Sequence, residues 1–349
     1  MPTAIDRGTF LAIRPRGDSR IRFSSDLEAG VGDFSLDELP NTRTGNWFDY
    51  ALGVVLQLDQ VARERGAERA LSGFELHFGG NLPVGAGLSS SASMCVGTAL
   101  ALNEIWELEC PTETLVDVAL QAERGFVGVQ CGIMDPFAVG FSRPETLLWI
   151  DCKDASCLHL PFDAGQLVIA VADTGVRREL AQGEFNDRVR QCHEAFTALR
   201  EHVPNAECLR DIPIEVLERH GDSLSDVQRL RAQHVLHEVK RTFEARKALE
   251  SGDAESFGRA MTEAHHSLRE LYEVSCAELD HLVETAVGVP GVLGSRLTGA
   301  GFGGCAVILA RRGVEEELAA RLRESYRRDF GRDAGVEFFR GSPGPRQTY

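Results

Sequence analysis

The chain has 349 residues, 43% hydrophobic and 26% charged, which is ordinarily globular and long enough for one large or two medium domains with sizeable cores. Its net charge of −16 argues against a general nucleic-acid binder or a membrane-surface binder, both of which need basic faces. Nine cysteines without a Cys-x-x-Cys pair, no signal peptide and no apolar run near the roughly 18 residues of a membrane span point to reduced thiols in a cytoplasmic protein.

In chain order, residues 4–15 and 20–24 read as strands joined by a turn at Arg16-Gly17-Asp18. Residues 47–63 have helical spacing, with Trp47, Tyr50, Ala51, Val54 and Val55 on one face. Residues 73–78 alternate as a strand, and 92–108, apolar and small, form a helix. Thr112 caps a helix over 113–125. A strand pair is expected at 146–151 and 156–161, and the apolar run 166–173 is a buried strand. From 177 the pattern is mostly amphipathic helix, over 177–201, 225–251, 254–271 and 279–287. A strand at 305–310 and a helix at 314–330 follow. The Gly- and Pro-rich end, 336–349, reads as a tail. His265 and His266, adjacent on a helix, point in different directions and read as surface. Strands and helices mix without strict βαβ alternation, which predicts an α+β protein of two domains, 1–163 and 164–335.

Three stretches carry chemistry. The first is Leu82-Pro83-Val84-Gly85-Ala86-Gly87-Leu88 followed by Ser89, Ser90, Ser91 and Ala92. It lies between the strand and the small-residue helix. Glycines let the backbone turn and approach a bound group. The serines offer N-caps and hydroxyl donors at a helix start that suits a phosphate. No lysine lies nearby, so this is not the P-loop of nucleoside triphosphatases. The second is Gly132-Ile133-Met134-Asp135-Pro136, where a carboxylate in apolar surroundings needs a partner; Pro136 is expected to push Asp135 toward extended geometry. The third is Gly299-Ala300-Gly301-Phe302-Gly303-Gly304, literally a Gly-x-Gly-x-x-Gly. A strand follows it where a dinucleotide fingerprint would open a helix, so that function is set aside.

The run Pro83 to Ala92 resembles the Pro-x3-Gly-Leu-x-Ser-Ser-Ala loop of the GHMP small-molecule kinases. Gly132 to Asp135, and Gly294-Ser295-Arg296-Leu297-Thr298 continuing through the glycine loop to Cys305, resemble the galactokinase branch of that family. So do 177–192, ending in Arg190-Gln191-Cys192, and 272–280, beginning Tyr272-Glu273-Val274-Ser275-Cys276. The resemblance implies a first domain like one half of ribosomal protein S5 and a ferredoxin-like second domain. It implies ATP and Mg²⁺ as cofactors, a small-molecule sugar as partner, and a monomer or weak homodimer. The nucleotide would lie on Pro83, Gly85, Gly87, Leu88, Ser89, Ser90 and Ser91, with Trp47 near the adenine. Ser91 and Glu123 would hold the metal, and Asp135 would take the proton of the attacking sugar hydroxyl. Gly132, Phe185 and Gly301 would join Asp135 around the sugar.

Two departures bear on the substrate. The branch's opening sugar motif, Gly-Arg-Val-Asn-Leu-Ile-Gly-Glu-His-Thr-Asp-Tyr-x-Gly-Gly-x-Val-Leu-Pro, is not in the sequence, where Pro2 matches its last proline. Phe185 stands where the branch has a sugar-contacting tyrosine and can donate no hydrogen bond. The readings left open are a galactokinase with its start displaced, a kinase for another sugar such as arabinose or an N-acetylhexosamine, and a non-catalytic relative. Turnover of galactose by the chain as it stands is expected to be weak or absent.

Overall fold

The computed structural model describes residues 1–66, 71–82, 88–177 and 181–346. The chain divides into two compact units, Met1–His159 with Gly341–Tyr349, and Leu160–Arg340.

The first unit opens with β1 (Ala4–Ile5), β2 (Thr9–Pro15), β3 (Arg20–Ser25) and β4 (Gly32–Ser35), then α1 (Asp49–Glu64) and β5 (Phe74–Gly80). The four longer strands form a sheet in the order β2-β5-β3-β4. The strands on either side of the Arg16–Asp18 turn are therefore not neighbours; β5 lies between them, antiparallel to β2 and parallel to β3. The parallel pairing needs a crossover, and α1 supplies it. Ile21 and Phe23 of β3, with Phe74, Leu76 and Phe78 of β5, alternate onto one buried face, as period-two strands dictate. That face carries α1, α2 (Ser90–Ile105) and α3 (Thr112–Gln121), whose Leu52, Val55, Leu58, Cys95, Ala99, Leu102 and Leu115 complete one core. Each Val, Leu, Ile or Phe among them gains about 1.5–3 kcal/mol on burial. A single-turn π-helix, Ala122–Val127, follows α3 directly. Next come α4 (Met134–Phe141) and the hairpin β6 (Thr146–Asp151) with β7 (Ser156–Pro161).

The second unit holds β8 (Leu167–Asp173), α5 (Ala181–Arg200), α6 (Ile214–His220), α7 (Asp226–Glu250) and α8 (Ala254–Ser267). A second π turn, Leu268–Tyr272, leads to α9 (Ala277–Val287), β9 (Val292–Thr298), β10 (Cys305–Arg311), α10 (Glu315–Phe330) and β11 (Gly335–Phe339). Its sheet runs β11-β8-β10-β9, antiparallel throughout. Leu279, Leu282, Leu318, Leu322 and Tyr326 of α9 and α10 pack with Val168, Ala306 and Ile308 of the strands. A separate core joins α5, α6 and α7 through Leu199, Leu217 and Leu236. Ser225 and Gln228 form a reciprocal cap at the start of α7.

Two expectations need correction. The end of the chain is not a free tail from residue 336: β11 pairs with β8, and β12 (Gly341–Ser342) returns to the first unit to pair with β1. Val336 and Phe339 are 7% and 2% exposed, so the apolar residues of this short segment outweigh its Gly and Pro composition. His265 is not at the surface but fully buried. Its Nδ1 accepts the Leu297 N–H at 3.2 Å and its Nε2 meets Asp280 Oδ1 at 3.0 Å. Thr262 Oγ1 likewise accepts the Ser295 N–H. Side chains of α8 thus satisfy the outer edge of β9, which would otherwise present unpaired donors. Among the described residues no helix is long and apolar enough to cross a membrane.

Candidate active site

The first unit brings two acids and two serines together. Glu123 lies in the π turn that follows α3, a distortion that recurs at functional sites, and it is only 2% exposed. The turn is tied down by its surroundings. Val129 N–H donates to the Glu123 carbonyl at 2.9 Å, and Gly128 ends the turn at φ 84°. Arg43 Nη1 donates to the Val127 carbonyl at 3.0 Å, and Arg124 Nε to the Cys131 carbonyl at 2.8 Å. The last bond spans the loop between Glu123 and Asp135. Neither arginine was singled out in the sequence; Arg124 follows Glu123 directly, which was the available hint.

Burial pushes the Glu123 carboxyl up from its ordinary value, a hydrogen bond from Ser91 pulls it back, and the nearby charge of Asp135 raises it further. Its Oε1 is buried and without a hydrogen-bond partner among the described residues. Tyr50, Cys95 and Cys131 all feel the charge of Glu123, although burial is the larger cause of their raised values.

Asp135 sits in the first turn of α4. The expected extended geometry before Pro136 does not occur. Pro136 falls within that first turn, where its missing N–H has no intrahelical partner to lose. Burial raises the Asp135 carboxyl above its usual range, opposed by a hydrogen bond from the Ser89 hydroxyl. Ser89 holds a left-handed backbone, φ 61°, at the start of α2 and makes no side-chain cap. The serines were expected to cap this helix. Instead the Ser89 and Ser91 hydroxyls act on the carboxyls of Asp135 and Glu123, pulling each down, and Ser89 does so from a left-handed backbone.

Of the other candidates, Leu88 is half-buried and Ser90 is the first residue of α2. Pro83, Gly85 and Gly87 lie outside the described residues. Gly132 is exposed, just before α4. Trp47 precedes α1 and packs edge-on against Phe48 and Phe78, with ring centroids 5.6 Å away in both pairs. Asp49, the first residue of α1, is 2% exposed and accepts from Thr44 N, Thr44 Oγ1 and Gly45 N. In the second unit Phe185 lies on α5, half-buried. Gly301 has φ 84°, and a Cβ there would stand 2.1 Å from the Val274 carbonyl oxygen, so only glycine fits.

The family profile described as "GHMP kinases N terminal domain" matches residues 49–143, and "GHMP kinases C terminal" matches 245–328. The chain is 40% identical to a galactokinase of Roseiflexus sp. (strain RS-1), covering 98% of this chain and 86% of that one. The chain belongs to the galactokinase family. A galactokinase of Enterococcus faecalis is 37% identical over 95% of this chain and 84% of its own. The crystal structure of Lactococcus lactis galactokinase complexed with galactose superposes with a TM-score of 0.90 at 30% identity, covering 98% of this chain and 87% of that chain. The architecture is the two-domain α+β fold of the GHMP kinases.

The residues present fit the Mg²⁺ that the sequence resemblance implies. Among the described residues no cluster of three or more His, Cys, Asp or Glu could cage an ion. Mg²⁺ does not need one, since it commonly takes one or two carboxylates and fills its shell with phosphate oxygens and water. The orphaned Glu123 Oε1 beside the Ser91 hydroxyl is such a partial set of hard oxygen donors.

Proposed function

We propose that this chain is an ATP-dependent sugar-1-kinase that converts galactose and ATP to galactose 1-phosphate and ADP. The observation that carries the reading is the Asp135 carboxylate, in the first turn of α4, pushed up by burial with the Ser89 hydroxyl pulling it back. A carboxylate tuned upward is a better proton acceptor at neutral pH. In the step proposed, the sugar's anomeric hydroxyl gives its proton to Asp135 as its oxygen bonds the γ-phosphorus. The bond from that phosphorus to the β–γ bridging oxygen breaks, and ADP leaves.

Little other covalent chemistry is asked of the protein, because phosphoryl transfer depends on positioning and charge stabilisation. Pro83, Gly85, Gly87, Leu88, Ser89, Ser90 and Ser91 are proposed to carry the nucleotide, with Trp47 near its base. Ser91 and Glu123 would hold Mg²⁺, which when bound offsets negative charge on the phosphates. Gly132 and Asp135 of the first unit are proposed sugar contacts, and Phe185 and Gly301 of the second keep the same role on the family pattern. Nine free cysteines favour a reducing, cytoplasmic setting.

The test is ATP-dependent phosphorylation across a panel of free sugars, with Asp135→Ala as control. Product from galactose, lost in the variant, supports the reading. A preference for arabinose or an N-acetylhexosamine would keep the reaction and move the substrate, with Phe185 the first residue to exchange. ATP binding without turnover of any sugar would overturn it.

A further inference from the structure

Two of the segments that resemble the galactokinase branch, 190–192 and 272–280, have no task in the reaction as proposed. In the second unit they meet at a residue that neither contains. Arg231, on α7, is 1% exposed. Its Nε donates to Gln191 Oε1 on α5 at 2.8 Å, its Nη1 to the Leu271 carbonyl at 2.6 Å, and its Nη2 to Glu273 Oε2 at 2.5 Å. These three acceptors come from two different elements. The planar guanidinium fork can serve all three at once, whereas a lysine ammonium carries the charge without the fork.

The held segment is itself unusual. Glu273 closes the π turn Leu268–Tyr272 with a left-handed backbone, φ 53°, a conformation that persists in a non-glycine residue only where surroundings over-determine it. Arg188 of α5 adds bonds from Nε to the Tyr272 carbonyl at 2.7 Å and from Nη2 to the Glu273 carbonyl at 2.8 Å. His234, one turn along α7 from Arg231, stacks on Tyr272 with centroids 4.4 Å apart and bonds Ser267 Oγ at 2.8 Å.

The far side of this turn meets the glycine loop. The Val274 carbonyl accepts the Phe302 N–H at 2.7 Å. The same carbonyl is the atom that excludes any side chain at Gly301. Arg188 also lies over the Phe302 ring, 5.7 Å from its centroid. The pose of residues 299–304 therefore depends on where Val274 stands, and Val274 follows a turn that Arg231 and Arg188 hold.

We propose that Arg231 is a positioning residue, which sets the glycine loop for sugar binding by fixing the Leu271–Glu273 turn that the loop leans on. The proposal rests on the sugar-contacting role given above to Gly301. Arg231 touches no reacting atom in this account and acts through the turn.

The experiment compares the parent with Arg231→Lys by steady-state kinetics and by hydrogen exchange read on peptides. The expected result is a rise in the galactose KM of about tenfold or more with the ATP KM within about twofold. Exchange in the 297–305 peptide should quicken about tenfold or more while peptides of β8 and α10 keep the parent rate. Uniformly faster exchange over the whole unit, or an unchanged glycine loop in a folded variant, would overturn the proposal. If Arg231→Lys does not fold, Glu273→Ala carries the same test. The Glu273 side chain is 53% exposed and its loss leaves Arg231 two acceptors, so a rise of about threefold in glycine-loop exchange is expected, and none would overturn it. Should the parent turn over no sugar, the proposed function fails, and glycine-loop exchange still decides the role of Arg231.

Discussion

Glu123 is 2% exposed and its Oε1 is buried without a partner among the described residues, with the Ser91 hydroxyl near enough to pull its carboxyl down. Leaving a buried acceptor unsatisfied costs about 1–3 kcal/mol, and a bound divalent cation would offset that cost. Glu123→Gln should therefore raise the Mg²⁺ concentration needed for half-maximal turnover and lower the maximal rate, each by about tenfold or more. A Mg²⁺ titration of activity on parent and variant checks this. An unchanged Mg²⁺ requirement would remove Glu123 from the metal site.

Both acids also set a stability profile. Their carboxyls are raised in the folded protein above the unfolded values of about 3.9 for Asp and 4.3 for Glu. Between the unfolded and folded values the native state holds the extra protons, so stability falls as pH rises through that window. It is fully present below the unfolded values and lost above the folded ones. Asp135→Asn and Glu123→Gln, which cannot ionise, should thus be more stable than the parent at neutral pH, with the gap closing near pH 4. Denaturant midpoints measured across pH in metal-free buffer test the sign. For activity the direction is opposite: in its proposed role Asp135 must be ionised to accept a proton, so kcat/KM should decline on the acid side with a midpoint above the ordinary aspartate range.

The terminal segment makes a separate prediction. Phe339, 2% exposed at the end of β11, should cost about 3–5 kcal/mol when cut to alanine, whereas a tail residue would cost almost nothing. Urea unfolding of Phe339→Ala against the parent distinguishes the two.

His265 offers a fourth. His265→Leu leaves the buried Leu297 N–H without its acceptor and should destabilise the second unit by about 1–3 kcal/mol. It should also raise the Asp280 carboxyl. Burial alone raises that group, yet bonds with His265 and Ser275 hold it below the usual range. That stabilisation is present above the unfolded aspartate value and is lost as pH falls through the folded one, so the variant should show a weaker acid-side loss. Parallel pH titrations of stability provide the check.

The legible parts of this molecule were those with local, repeated chemistry. The glycine–serine run, the apolar alternation of residues 73–78 and the amphipathic helices announce themselves because their cause is contained in a short window. The misread parts have causes elsewhere. The π turn around Glu123 carries the same apolar spacing as the helix it extends, so nothing local marks it. Pro136 reads as a breaker until its position in the first helical turn is known. His265 reads as surface until an edge strand, whose Leu297 is 32 residues away in sequence, arrives to use its ring nitrogen. Arg231 is one arginine among many on a helix until its three acceptors are assembled around it.

The most direct test of the central claim is the ATP-dependent appearance of galactose 1-phosphate from the parent and from Asp135→Asn, with ATP·Mg²⁺ binding measured on both. Product is expected from the parent, however slow, and a rate lower by about 10²–10⁴ in the variant with nucleotide affinity retained. An Asp135→Asn protein as active as the parent, or a parent that binds ATP and phosphorylates no sugar, would contradict it.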